Sequence, residues 1–238
     1  MVGKYDHLST LKRKDTNPHG KLLYKSDAVP WLSEKVACHM LGLATEIYTD
    51  SNIFDPFVGN GLLQIVSQVR YYNQIKAFYG IDINPNNVAT ALANIQLHQN
   101  TSVLEARIIE LQNTGEIPNR TPKDFERLKR AIASRDVLPT PIWQGNALNF
   151  DTSYLDKDVV IVSDPPYGIE CPWYDHSGQS TKGDFLEAFL QKTVENDPAL
   201  VVLSIFAHPN QLEIAKKYLS LDYNNPIQGR RIIRGKVK

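Results

Sequence analysis

The chain has 238 residues, 26 Lys and Arg against 26 Asp and Glu for a formal net charge of zero, two cysteines, and a polar, charged start. This length can bury the core of one α/β domain, and no large separate recognition domain is expected within it. No apolar run approaches the roughly 20 residues of a membrane span. Cys38 and Cys171 are too few for a disulfide framework and lack zinc-ligand spacing, and the start is not a secretory signal, so a reduced, cytoplasmic protein is expected. A neutral total weighs against a polyphosphate partner unless basic side chains gather on one face.

Residues 1–24 read as a basic arm, with Lys12-Arg13-Lys14, Lys21 and the turn Asn17-Pro18-His19-Gly20, ahead of one catalytic domain over residues 25–238. Trp31, Leu32, Val36, Met40 and Leu43 recur at helical spacing and predict a helix packed on a sheet, with His39 structural or exposed. Residues 52–54 predict a first strand that enters Asp55-Pro56-Phe57-Val58-Gly59-Asn60-Gly61. Glycines there let backbone N–H groups approach a ligand at a helix start, and Leu62, Leu63, Ile65 and Val66 give that helix a buried face. A second strand over residues 75–81 ends in Asp82, about 20 residues past the turn, where a carboxylate can accept both ribose hydroxyls. Gln64 replaces the third glycine of a dinucleotide fingerprint, and Asp55 would repel a pyrophosphate. S-adenosylmethionine, which has no phosphate and carries a cationic amino acid end, suits the site better. Alone, Gly59-Asn60-Gly61 is also an ordinary loop.

Asn84-Pro85 starts the next helix, with proline at its first position and Val88, Leu92 and Ile95 on one face. Residues from about 101 to 141 exceed a simple connection and predict a helical insertion. In it Thr121-Pro122-Lys123-Asp124 is a capped helix start, Phe125, Leu128 and Ile132 an inner face, and Lys123, Arg127, Lys129 and Arg130 either a solvated or an RNA-facing surface. A third strand runs from Ile142 and Trp143 to Gly145, followed by Asn146.

The run Val159-Val160-Ile161-Val162 does not alternate, so it predicts a central parallel strand leading into Asp164-Pro165-Pro166-Tyr167-Gly168. An exocyclic amine on a base is a poor nucleophile because its lone pair is delocalised. The Asp164 side chain and the Pro165 carbonyl can hold its N–H bonds, two prolines stiffen the backbone, and Tyr167 can stack on an unpaired or everted base. The competing reading is a proline-stiffened turn. In the loop over residues 168–183, Trp173, Tyr174 and His176 are either base platforms or lid packing, and Cys171 is incidental. Phe185, Leu186, Phe189 and Leu190 predict a helix, residues 199–206 a fifth strand, residues 211–218 a helix, and residues 219–237 a short strand pair. The last ten residues hold no acid, which makes Arg230, Arg231 and Arg234 candidate phosphate contacts or simply a solvated end.

The order of acidic glycine turn, Asp82, Gly145-Asn146-Ala147 and Asp164-Pro165-Pro166-Tyr167 is similar to that of class I S-adenosylmethionine-dependent N-methyltransferases. Over most of residues 25–238 the chain also resembles the AviRa family of avilamycin-resistance 23S rRNA guanine methyltransferases, in the entry segment over residues 26–43, the insertion and the tryptophan loop. Its tetrapeptide departs from that family's leucine at the second position and follows the general amino-methylating pattern. The resemblance implies a Rossmann-like α/β fold: a seven-stranded, mostly parallel sheet with helices on both faces. It implies catalytic Asp164, Pro165, Pro166 and Tyr167, and a donor held by Asp55, Phe57, Gly59, Gly61, Asp82, Ile83, Asn146 and Ala147. Trp173, Tyr174, Arg230, Arg231 and Arg234 would meet the substrate. The implied protein is a monomer without metal that methylates guanine N2 in 23S rRNA or a large-subunit precursor, in resistance or housekeeping. The alternatives are a protein-glutamine methyltransferase, whose similar tetrapeptide starts with Asn, a DNA adenine methyltransferase, or an idle RNA-binding module.

Overall fold

A computed structural model describes residues 32–116, 123–155, 158–166, 173–174, 180–181, 185–206, 209–227 and 229–238. The expected basic arm, Trp31, Tyr167 and most of the tryptophan loop lie outside the described residues, as does the start of the helix expected at Thr121.

The first described helix, α1 (Glu34–Thr45), begins at Ser33, whose hydroxyl accepts the Val36 N–H and so satisfies one of the open donors of the first turn. It buries Val36, Ala37, Met40, Leu41 and Ala44 against the sheet. The sheet itself is built from β1 (Ser51–Asp55), β2 (Ile75–Asp82), β3 (Ile142–Gln144), β4 (Val160–Ser163), β7 (Leu200–Phe206), β8 (Leu219–Ile227) and β9 (Arg230–Val237). Between β4 and β7, β5 (Trp173–Tyr174) and β6 (Ser180–Thr181) pair as a separate antiparallel ribbon.

The strand order is β3-β2-β1-β4-β7-β9-β8. β3, β2, β1, β4 and β7 run parallel, and β9 is antiparallel to both its neighbours. Parallel central strands covered on both faces need no polar side, which is why β1 and β4 are buried at every residue. Ile53, Val160, Val162 and Val202 point into the layer with α1, while Phe54, Ile161, Val201 and Leu203 meet α6 (Phe185–Glu195) and α7 (Pro209–Tyr218). The expected short closing pair is in fact two long strands that complete the sheet edge, because Ile232 and Ile233 feed the two opposite core layers.

α2 (Leu62–Val66) follows the glycine turn, and its end widens into a π-helical turn over Ser67–Tyr71. α3 (Pro85–Gln99) starts at Asn84 with proline in the first turn, as the sequence predicts, but its buried face is rotated from the expected one. Leu92 is exposed, and Asn87, Ala91, Asn94, Ile95, Leu97 and His98 turn inward. Local hydrophobic spacing misses this because the face is chosen by what α3 packs on: a Cβ on Gly61 would lie 3.1 Å from the Ala91 Cβ, so only a small residue opposite a glycine allows the approach. In the insertion, α4 (Thr101–Asn113) and α5 (Lys123–Ala133) share a small core of Leu104, Ile108, Leu111 and Ile132. Lys129 pairs with Glu105 and Glu126 within the insertion. The side chains of Phe125 and Leu128 lie outside those described.

Candidate active site

The carboxyl ends of β1, β2 and β4 bring Asp55, Asp82 and Asp164 to one edge of the sheet, with Asn146 just beyond β3. In open α/β sheets ligands bind beyond the carboxyl ends of the parallel strands, where the strand order reverses.

The glycine turn is held from both sides. Gly59 and Gly61 have φ of 54° and 82°, in the left-handed region that glycine adopts without a steric penalty. From β2, the Asp82 carboxylate accepts the Gly59 N–H at 2.9 Å, and its other oxygen accepts the Asn84 N–H at 2.9 Å and the Asn87 amide at 3.2 Å. From α3, the Asn94 amide donates to the Asn60 carbonyl at 3.0 Å. Burial pushes Asp82 above the ordinary carboxylate range, and these donors hold it partly back. Asn146 accepts the Leu148 N–H at 2.9 Å, which shapes the turn after β3 and places Ala147 in the core. Ile83 is half-buried between Asp82 and α3, and its carbonyl accepts the Gln144 amide at 3.2 Å. Phe57 is half-buried and packs edge-on against Phe185 and Phe189.

Asp55 sits behind this turn rather than open to solvent, at 1 % exposure. Its Oδ1 accepts the Phe57 N–H at 3.0 Å and the Ser163 hydroxyl at 2.5 Å, and its Oδ2 accepts the Gln64 amide at 3.1 Å. Gln64, which stands where a dinucleotide fingerprint has glycine, is therefore a buried support for the carboxylate. Burial raises Asp55 to about 7 against the pull of those three donors, and the nearby charge of Asp164 pushes in the same direction as burial. Ser163 directly precedes Asp164, so the contact ties the glycine turn to the tetrapeptide.

Asp164 faces a different partner. Nη1 of Arg230, at the start of β9, donates to both carboxylate oxygens at 2.5 and 2.6 Å. Ser204 of β7 lies between them: its hydroxyl bonds Asp164 and sits 3.4 Å from the same guanidinium nitrogen. Burial raises Asp164 to about 6, with Arg230 and then Ser204 pulling it down. Pro165 is buried and Pro166 half-buried.

The three terminal arginines thus separate. Arg230 turns inward onto Asp164. Arg234 is used inside the fold, bonding Asp222, Glu46 and the Leu43 carbonyl. Arg231 reaches Asn224 on the outer side of β8. Alternation along β9 puts Arg230 and Arg234 on the α1 face and Arg231 on the other, a division invisible to a count of basic residues. Trp173 and Tyr174 form β5, whose side chains lie outside those described. Ser163 and Ser204 were missed by sequence reading, since serine in an apolar strand carries no signal of its own. Phe206, 52 % exposed at the end of β7, pairs across the sheet with Arg230. Among the described residues, no cluster of three His, Cys, Asp or Glu side chains is placed to hold a metal, and no helix is long and apolar enough to cross a membrane.

A sheet of this order, with a glycine turn after β1, an acid ending β2 and an acidic proline tetrapeptide after β4, defines a Rossmann-like class I methyltransferase fold. The profile of the rRNA methyltransferase AviRa matches residues 4–222, and the chain belongs to that family. The solved structure of the rRNA methyltransferase aviRa from Streptomyces viridochromogenes superposes with a TM-score of 0.68 at 20% identity, covering 94% of each chain. TrmN from Thermus thermophilus superposes at 0.51 and 13% identity, over 87% of this chain and 49% of that one. A tRNA 4-demethylwyosine(37)-methyltransferase, Taw21, from Saccharolobus solfataricus is 30% identical over 149 residues, 58% of this chain. The matched part spans 56% of that relative's length.

Proposed function

We propose that this protein transfers a methyl group from S-adenosylmethionine to the exocyclic amine of a guanine, at N2, in 23S rRNA or a large-subunit precursor. The observation that carries the reading is the 2.5 Å bond from Ser163 to Asp55, which makes the glycine turn and the Asp164 tetrapeptide neighbours at one strand edge. Family membership favours RNA as the substrate class.

The residues fit the donor. Two buried amide atoms beside the turn, Asn60 Nδ2 and Asn87 Oδ1, have no hydrogen-bond partner among the described residues, and buried polar groups rarely stay that way without a ligand or water. Asp82 would hold the ribose hydroxyls, Asn146 and Ala147 the adenine edge, and Gly59 and Gly61 would line the amino acid end. Asp55 would act from behind the turn, where its partial negative charge favours a cation. When bound, the donor supplies a methyl group on a sulfonium, already a good leaving group.

What remains for the chain is orientation. The Asp164 carboxylate and the Pro165 carbonyl accept the two amine N–H bonds and draw the nitrogen lone pair out of conjugation. Tyr167, with Trp173 and Tyr174, would hold the base, and water takes the final proton. Placing the amine in line with the methyl accounts for most of the acceleration. An Asn-led tetrapeptide, the mark of the glutamine-methylating alternative, would bring no charge to pair with Arg230.

A tritiated methyl-donor assay on rRNA, DNA and protein, with Asp164→Ala as control, tests the reading. Label in RNA that disappears on substitution is expected. Label confined to protein or to DNA rejects it, and no label in any of the three favours the idle RNA-binding module.

A further inference from the structure

We infer that Arg230 is a positioning residue for methyl transfer: its guanidinium holds the Asp164 carboxylate charged and in one orientation, ready to accept the N–H bonds of the target amine. The inference rests on the role given to Asp164 above, and adds a second residue, from the far end of the chain, to the same site.

The geometry is specific. Arg230 and Asp164 are separated by the whole width of β7, yet one guanidinium nitrogen meets both carboxylate oxygens. The side chains are only 12% and 13% exposed. A basic side chain serving RNA phosphate would extend outward, as Arg231 does on the opposite face. A carboxylate this far from water tends to neutralise unless a cation compensates it. A protonated carboxyl would offer the amine a weaker acceptor and a competing donor. An ionised one has about four lone-pair sites on its two oxygens, so the contact with Nη1 leaves capacity for substrate. The Ser204 hydroxyl beneath the pair fixes the plane of the carboxylate from β7.

The charged groups facing Asp164 among the described residues are Arg230 from β9 and Asp55 from β1. Arg230 pulls Asp164 down, and the charge of Asp164 in turn raises Asp55. Removing Arg230 leaves Asp164 with burial, which favours its neutral form, opposed by the Ser204 hydroxyl alone. The active form is the ionised one, so the rate rises with pH through the titration of Asp164, and loss of Arg230 moves that rise to higher pH.

The experiment uses the full chain as wild type, Arg230→Met, Arg230→Gln and Arg230→Lys, each checked for cooperative melting. Methyl transfer to rRNA is followed from about pH 5.5 to about pH 9, with kcat and the KM for RNA separated. In parallel, carboxyl 13C resonances are titrated, with Asp164→Asn and Asp55→Asn identifying the two signals. For Arg230→Met and Arg230→Gln, the acid limb and the Asp164 resonance shift upward together by about one pH unit. That shift lowers kcat roughly fivefold at the wild-type midpoint and approaches about tenfold below it, with recovery at high pH. Arg230→Lys keeps the charge and restores most of the limb. An unmoved limb and resonance, or a loss confined to the KM for RNA that deepens with salt, overturns the inference and makes Arg230 a phosphate contact or a structural residue. A wild type that labels no RNA overturns the proposed function instead, and the resonance titration then still decides whether Arg230 governs Asp164.

Discussion

The two halves of the sheet edge hold their carboxylates by different means. On the glycine-turn side, Asp55 and Asp82 are surrounded by neutral donors: backbone N–H groups, amides and one hydroxyl. On the tetrapeptide side, Asp164 has a guanidinium. Neutral donors orient a carboxylate without cancelling its charge, so Asp55 stays poised near neutral pH and favours whatever cation comes close. A guanidinium cancels most of the charge, and what remains is a fixed acceptor. The contrast matches what each side is proposed to hold: a cationic ligand on one, a neutral amine on the other.

The contrast can be broken most sharply at Asp164. Replacing it by Ala should reduce methyl transfer by about a hundred- to a thousandfold while the protein still melts cooperatively, since a lost oriented polar group in a preorganised site is worth that much. Residual activity within tenfold of wild type would show that the tetrapeptide carboxylate is not the acceptor. On the other side, Gly61→Ala should destabilise the fold by about 2 kcal/mol, from the left-handed backbone and the contact with Ala91, and weaken donor uptake in calorimetry. Unchanged uptake with unchanged stability would remove the turn from the site.

Asp55 offers a pH test of the neutral-donor side. Its folded carboxyl titrates near 7, far above the unfolded value, so its contribution to stability is complete in acid and is lost as pH rises through about 7. Unfolding free energies of the ligand-free protein should fall between about pH 4 and pH 7, by up to about 4 kcal/mol, and level off above that. Asp55→Asn should flatten that slope, helped by the Gln64 Oε1, which has no partner among the described residues and could accept from the new amide. A slope that survives the substitution would assign it to another group. The smallest effect belongs to Ser204→Ala. It removes the lesser of the two groups pulling Asp164 down, so the acid limb should move by a few tenths of a pH unit, well short of the Arg230 variants.

Much of this arrangement was legible in the chain. The apolar runs of β1, β2, β4 and β7 stand out because parallel strands covered on both faces must be continuously hydrophobic. Asp55, Asp82 and Asp164 stand out because an acid that ends such a strand lies at the sheet edge where ligands bind. The inner face of α3 was misread, since Asn87 and Asn94 are buried for the sake of the glycine turn and not by any period of their own.

Local patterning therefore determined which residues could carry the chemistry: strand ends, glycine turn and proline tetrapeptide are written in neighbouring positions and follow from backbone sterics and hydrophobic burial. Tertiary structure alone decided their partners. Ser163 meets Asp55 across 108 positions, and Arg230 meets Asp164 across 66. Charge pairing over such separations depends on strand order and on which face of β9 looks inward, and neither is encoded within the span of residues that a sequence pattern can compare.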